Sequence, residues 1–263
     1  MRKRSFLSIL SLVLCLMLSL PALAEVTITF LDEDDDSSVS QNQTTLPDSS
    51  ASSGAREAFI EDIIALGQKE YEHTNGRAQE AQYSSSIFIC KNFTVYLFRQ
   101  NAEKYRMAEY PDVALKIPDN LPKDQCTDFS YGIVWKDIPA SEGNPFEVAA
   151  QFIYDPNLSK EENRENAREF MKNVQKGDYF QMSAKYYYGT GAHSLIFIAD
   201  YDPETGTVRW MDSNMKGEKR NGIRYAYVQF DAVKDIDWFV DAFCQKNRGA
   251  TLYRLRDDII YAD

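Results

Sequence analysis

The stretch from Asp178 to Asn214, DYFQMSAKYYYGTGAHSLIFIADYDPETGTVRWMDSN, decides the fold. Its hydrophobic period is two, the period at which successive side chains leave a strand on opposite faces. Tyr179–Met182, Ser194–Ala199 and Thr207–Asp212 therefore read as strands. Gly189-Thr190-Gly191 and Asp202-Pro203-Glu204-Thr205-Gly206 are the turn signals between them. A turn that short predicts that the strand entered at His193 and the strand begun at Thr207 are antiparallel neighbours.

Downstream, Ile223–Phe230 and Thr251–Leu255 read as two further strands, with a short helix from about Ile236 to Cys244 between them. Upstream the period is helical. Phe59, Ile60, Ile63, Ile64 and Leu66 share one face of a helix over about Arg56–Glu72, while Glu61, Asp62, Lys69 and Glu70 take the other. Asn75-Gly76 marks a turn. Ser84-Ser85-Ser86 then offers caps for a nearly continuous apolar segment, Ile87–Arg99, too long for a typical strand and read as a buried helix with Cys90 near its N-terminal end. Proline is concentrated between Met107 and Pro156, which predicts irregular structure with a few short strands. Ser159 and Glu162 form a capping box for a polar helix that runs to a Gly177 stop. Helices first and a mostly antiparallel five-stranded sheet afterwards make the fold class α+β.

The N-terminus carries an address. Arg2, Lys3 and Arg4 precede an uncharged apolar run from Phe6 to Leu20 and then Pro21-Ala22-Leu23-Ala24, an A-x-A cleavage pattern. Residues 1–24 read as a signal peptide, cleaved near Ala24 to release a secreted or cell-envelope protein without a stable membrane anchor. Residues 25–54 hold seven acids, no Lys or Arg, and a Ser/Thr/Gln/Asn-rich run, too little apolar surface to offset ordering entropy. They read as a disordered linker, and residues 55–263 as one domain.

Of the net charge of −11, the linker and the lost signal bases account for enough that the domain retains 26 Lys and Arg against 33 Asp and Glu. Such a balance argues against a nucleic-acid partner, because phosphate neutralisation needs a basic surface. Cleavage removes Cys15 and leaves three cysteines, Cys90, Cys126 and Cys244, an odd number in an exported chain. At least one thiol stays without an intramolecular partner. Any of the three could be left over by count alone.

Chemistry narrows the choice. A helix N-terminus, with its partial positive charge and N–H groups, lowers a thiol's pKa, which suits Cys90. Of the two histidines, His73 sits in a charged, solvated stretch, whereas His193 stands where a glycine-bounded loop enters an apolar strand. Asp212 and Asn214 alternate onto one face of the next strand, either one across from His193, where a polar group fixes the imidazole tautomer. Each has a plainer reading as well: Cys90 as core or disulfide, His193 as a structural histidine, Asp212-Ser213-Asn214 as a turn. Together they supply nucleophile, base and orienting group.

These residues resemble the NlpC/P60 and CHAP group of papain-like cysteine peptidases and amidases. The likeness rests on Cys90-Lys91-Asn92-Phe93, similar to their Cys-x-x-Phe helix, on Lys176-Gly177-Asp178-Tyr179-Phe180, on Gly191-Ala192-His193-Ser194-Leu195-Ile196, and on Asp212-Ser213-Asn214. It implies a Cys90 nucleophile, a His193 base, Asp212 or Asn214 orienting it, no metal or cofactor, and peptidoglycan or another peptide as substrate. The interval of 103 residues between Cys90 and His193 is long for the group, so residues 107–176 would be an insertion shaping the cleft. The Asp usual before the cysteine is replaced by Ile89. A competing reading is a secreted, non-catalytic glycan- or peptide-binding module using Tyr186-Tyr187-Tyr188 and the Trp210 strand. With Cys90 as the working thiol, Cys126 and Cys244 are left as candidates for a disulfide.

Overall fold

The seven strands of the main sheet run antiparallel throughout, in the order β1-β8-β7-β6-β5-β9-β4. They are β1 (Gln79–Glu80), β4 (Phe146–Ile153), β5 (Tyr179–Tyr186), β6 (Gly189–Phe197), β7 (Thr207–Arg220), β8 (Ile223–Asp235) and β9 (Gly249–Leu255). A smaller sheet takes β2 (Tyr105–Met107), β3 (Tyr110–Ala114) and β10 (Ile259–Tyr261) in the order β10-β2-β3. Among the described residues four α-helices accompany them: α1 (Ser49–Thr74), α2 (Cys90–Asn101), α3 (Lys160–Met171) and α4 (Ile236–Phe243). This computed structural model describes residues 49–83, 85–117, 139–186 and 189–263. The expected signal peptide, Cys126, Tyr187 and Tyr188 lie outside the described residues, as does the expected linker up to residue 48.

The α+β class and the antiparallel sheet stand, but among the described residues the sheet has seven strands rather than five. Of the few short strands expected in the proline-rich region, β4 joins this sheet, and its register explains why its place was not legible. The pairing with β9 shifts between Val148 and Ala150, so one extra residue flips the later side chains to the other face. Phe146 thus joins one core and Phe152 the other, although both are even-numbered. Simple alternation is lost there. Part of residues 107–176 is accordingly an edge strand of the sheet, and another part is helix α3.

Alternation along β5, β6, β9 and the start of β7 loads both faces of the sheet. Tyr179, Ile196, Met211 and Tyr253 pack against α1 and α2, while their neighbours Phe180, Leu195, Trp210 and Leu252 pack against α3 and α4. Phe180 meets Phe170, Phe197, Phe239 and Phe243 with ring centroids 5.5 to 6.3 Å apart. Burying one such ring is worth about 1.5–3 kcal/mol. On the opposite face Phe59 of α1 stacks on Tyr105 of β2, centroids 4.4 Å apart, which ties the small sheet to the first helix.

Helix boundaries follow local chemistry with three corrections. The capping box forms as expected, Glu162 N–H donating to Ser159 Oγ and Ser159 N–H to Glu162 Oε2, but α3 stops at Met171, short of Gly177. Gly177 serves the turn into β5: its φ is +88°, and a Cβ there would come within 2.6 Å of Ile60 on α1. Helix α2 begins at Cys90 rather than Ile87, and its N-cap residue, Ile89, makes no side-chain cap. Ser86 holds the preceding turn instead, its Oγ accepting from Phe88 N–H and donating to the Glu80 carbonyl. At the start of the domain, α1 takes in residues 49–54 of the expected linker.

Candidate functional site

Strands β6 and β7 pair at Phe197↔Trp210 and Ile196↔Met211, the described extent of their ladder. Continued, that register would bring Leu195 opposite Asp212, Ser194 opposite Ser213 and His193 opposite Asn214. At this point the segment before α2 enters. The Ser213 hydroxyl donates to the Phe88 carbonyl at 2.7 Å, and the Ser194 N–H is directed at the Cys90 thiol. The Phe88–Cys90 turn therefore occupies the space in which the two strands would have closed.

That wedge determines how the thiol meets the imidazole. His193 alternates with Leu195 and Phe197 onto the α3/α4 face, whereas Cys90 opens α2 on the other face. The two meet where the ladder has opened, and the thiol and imidazole are hydrogen-bonded. The imidazole Nε2 lies 2.7 Å from Oδ2 of Asp212. Nδ1 is thus the nitrogen left for the thiol. His193 and Asp212 are only 6% and 1% exposed.

Asp212 is itself held. Its Oδ2 also accepts from Trp210 Nε1 at 3.2 Å, and its Oδ1 accepts from Gln229 Nε2 at 2.9 Å. Three donors to one buried carboxylate fix its plane and lower the cost of keeping it charged away from water. Sequence reasoning missed Gln229. A glutamine on β8 has no local signal, since only the register Asp212↔Gln229 brings it alongside. Trp210 had one: two residues from Asp212, it shares that face of the strand.

Electrostatics favour the charged pair. Burial alone would raise the Cys90 pKa, but the hydrogen bond and charge of His193, with the N–H groups of Ser194 and Lys91, outweigh it and bring the thiol below its ordinary value. Burial alone would lower the His193 pKa. The Asp212 carboxylate and Cys90 overcome that and push it up to about 10. Both shifts favour the thiolate–imidazolium form of the pair over the neutral one.

The structure brings together Cys90, His193 and Asp212, and separates Asn214 from His193's hydrogen bond. Asn214 instead lines a cavity beyond the imidazole. His73 is exposed in the last turn of α1. Cys244 is a buried free thiol among the α3/α4 side chains, and burial pushes its pKa up. The expected Cys126–Cys244 pairing falls on Cys126, outside the described residues. Among the described residues no group of three or more His, Cys, Asp or Glu is placed to hold a metal ion, and no helix is long and apolar enough to cross a membrane.

Fold and site together define an antiparallel α+β protein with a Cys–His–Asp chain at a helix N-terminus. No family model, curated protein or solved structure matches the chain.

Proposed function

We propose that the protein is a thiol hydrolase of amide bonds, on the papain-like plan of the NlpC/P60 and CHAP enzymes, with Cys90 as nucleophile, His193 as acid and base, and Asp212 as the group that orients His193. The observation that carries this reading is the hydrogen-bonded chain from Cys90 through His193 to Asp212, with the thiol on the first residue of α2. A chain of that kind is the arrangement an activated nucleophile requires.

In the proposed cycle the Cys90 thiolate attacks the amide carbonyl, and the imidazolium gives its proton to the departing amine. The C–N bond breaks and a thioester remains. Neutral His193 then takes a proton from water, whose oxygen attacks the thioester. The acid is released and the imidazolium–thiolate pair is restored. The positive end of α2 favours the negative charge that develops near Cys90. Asp212 keeps the imidazole in one orientation and stabilises its charge. The reading of residues 1–24 as an export signal supports a substrate outside the cytosol, and peptidoglycan stem peptides are the class the resemblance favours.

Two measurements test this. Iodoacetamide at neutral pH should modify one residue of the native protein, Cys90, rapidly, and more slowly in His193→Ala. Purified peptidoglycan should yield new amino termini with the wild type and none with Cys90→Ala. An inert Cys90, or release that persists without it, sinks the reading.

A further inference from the structure

A cavity of about 150 Å³ lies between β7, β8 and α4, lined by His193, Trp210, Asn214, Val233 and Trp238 among others. Leu195, Ala232 and the two indoles supply its apolar surface, with Asp212, Gln229 and Lys234 as further polar lining, and a void of that size admits a benzene-sized group. Its floor is the His193–Asp212 pair, whose carboxylate is already held by Trp210 and Gln229. Its rim is open: Trp238 and Val233 are 44% and 50% exposed, and the exposed Lys234 stands with them. The Trp238 indole stacks on Trp210, centroids 5.9 Å apart and planes 18° apart.

Position decides what the cavity would take. It is lined by His193 and not by Cys90, so a group bound in it sits on the imidazole side of the thiol. That is the side on which a leaving amine collects its proton. We infer that this cavity is the leaving-group subsite, taking an aromatic or branched apolar side chain from the residue whose nitrogen departs, with the Asn214 amide beside that residue's backbone. Asn214 thereby acquires a binding role in place of the orienting role that falls to Asp212. The inference rests on the thiol-acyl reading of Cys90.

Microscopic reversibility supplies the test, because an amine that attacks the thioester occupies the leaving-group subsite. The purified protein is acylated with p-nitrophenyl acetate: the Cys90 sulfur takes the acetyl group and p-nitrophenolate leaves. Amino-acid amides are then added. The amine nitrogen forms a C–N bond as the C–S bond breaks, and its proton returns to the His193–Cys90 pair. The readout is the ratio of N-acetyl product to acetate, which is independent of the acylation rate.

Phenylalanine amide and leucine amide should capture the acetyl group roughly tenfold better than alanine amide, the discrimination a few buried carbons provide. The preference should collapse towards parity in Trp238→Ala, and in Val233→Asp, which alters the exposed rim while keeping the indole. An acetyl-Cys90 that partitions equally among the amides, or a preference both variants retain, overturns the subsite and leaves the thiol reading intact. Absence of acetyl-Cys90 overturns both.

Discussion

Nε2 of His193 lies 2.7 Å from Oδ2 of Asp212, two residues along β7 from the position its strand register would set opposite. The diagonal carboxylate, not the facing amide of Asn214, holds the imidazole. Asp212→Asn should therefore slow alkylation of Cys90 at pH 7 by at least roughly tenfold, since each unit lost from the His193 pKa is a tenfold loss of imidazolium stabilisation. Asn214→Ala should change that rate little. Pseudo-first-order labelling followed by mass spectrometry distinguishes them, and the reverse ranking would give the orienting role to Asn214.

The charged pair sets a pH window. Alkylation by neutral iodoacetamide should rise with a midpoint below that of an ordinary thiol, stay level, and change again only as His193 loses its proton near pH 10. His193→Gln should move the first limb to higher pH. Linkage has a definite sign: the folded pKa of His193 lies above its ordinary 6.5, so its contribution to stability is complete below about pH 6.5 and is lost as pH rises through about 10. Urea midpoints of wild type and His193→Gln should converge in the alkaline range.

Beneath the thiol, the Tyr179 hydroxyl accepts from Gln181 Nε2 and lies 3.3 Å from Ser194 Oγ, beside the residue whose N–H reaches Cys90. Tyr179→Phe leaves three buried polar side chains, Ser194, Thr94 and Gln181, without this partner. The expected cost is about 1–3 kcal/mol in urea unfolding, with slower Cys90 alkylation. Unchanged stability would show that these groups are satisfied in another way.

Asp178 is fully buried, and Arg254 grips it through Nε at 2.9 Å and Nη2 at 2.8 Å, with the Gln175 N–H as a further donor. Burial raises the Asp178 pKa, and Arg254 opposes that rise. Arg254→Met strands the carboxylate and should destabilise by about 3–5 kcal/mol. Asp178→Asn with Arg254→Met together should recover part of the loss in the same assay.

Gly177→Ala tests the turn into β5. The left-handed backbone and the contact with Ile60 both penalise a Cβ, at a cost of at least about 1 kcal/mol. In a chain of this size that lowers Tm by about 2–4 °C per kcal/mol. Thermal denaturation by circular dichroism measures it, and an unchanged midpoint would mean that the turn relaxes freely.

What the sequence by itself determined is what short-range periodicity and capping encode. The strands from Tyr179 to Leu255, the capping box at Ser159, the helix carrying Cys90, and the choice of His193 over His73 all rest on residues a few positions apart. The few short strands expected between Met107 and Pro156 could not be placed residue by residue, because the bulge in β4 breaks the alternation that marks a strand. The tertiary structure decided the rest. Whether Asp212 or Asn214 reaches His193 depends on where the β6–β7 ladder stops, and it stops because the turn before α2, more than a hundred residues upstream of β6, is wedged between Ser194 and Ser213. Gln229 and Trp238 reach the site only through sheet register and the packing of α4. Such relations depend on how separate elements close on one another in space, and a local pattern carries no record of that distance.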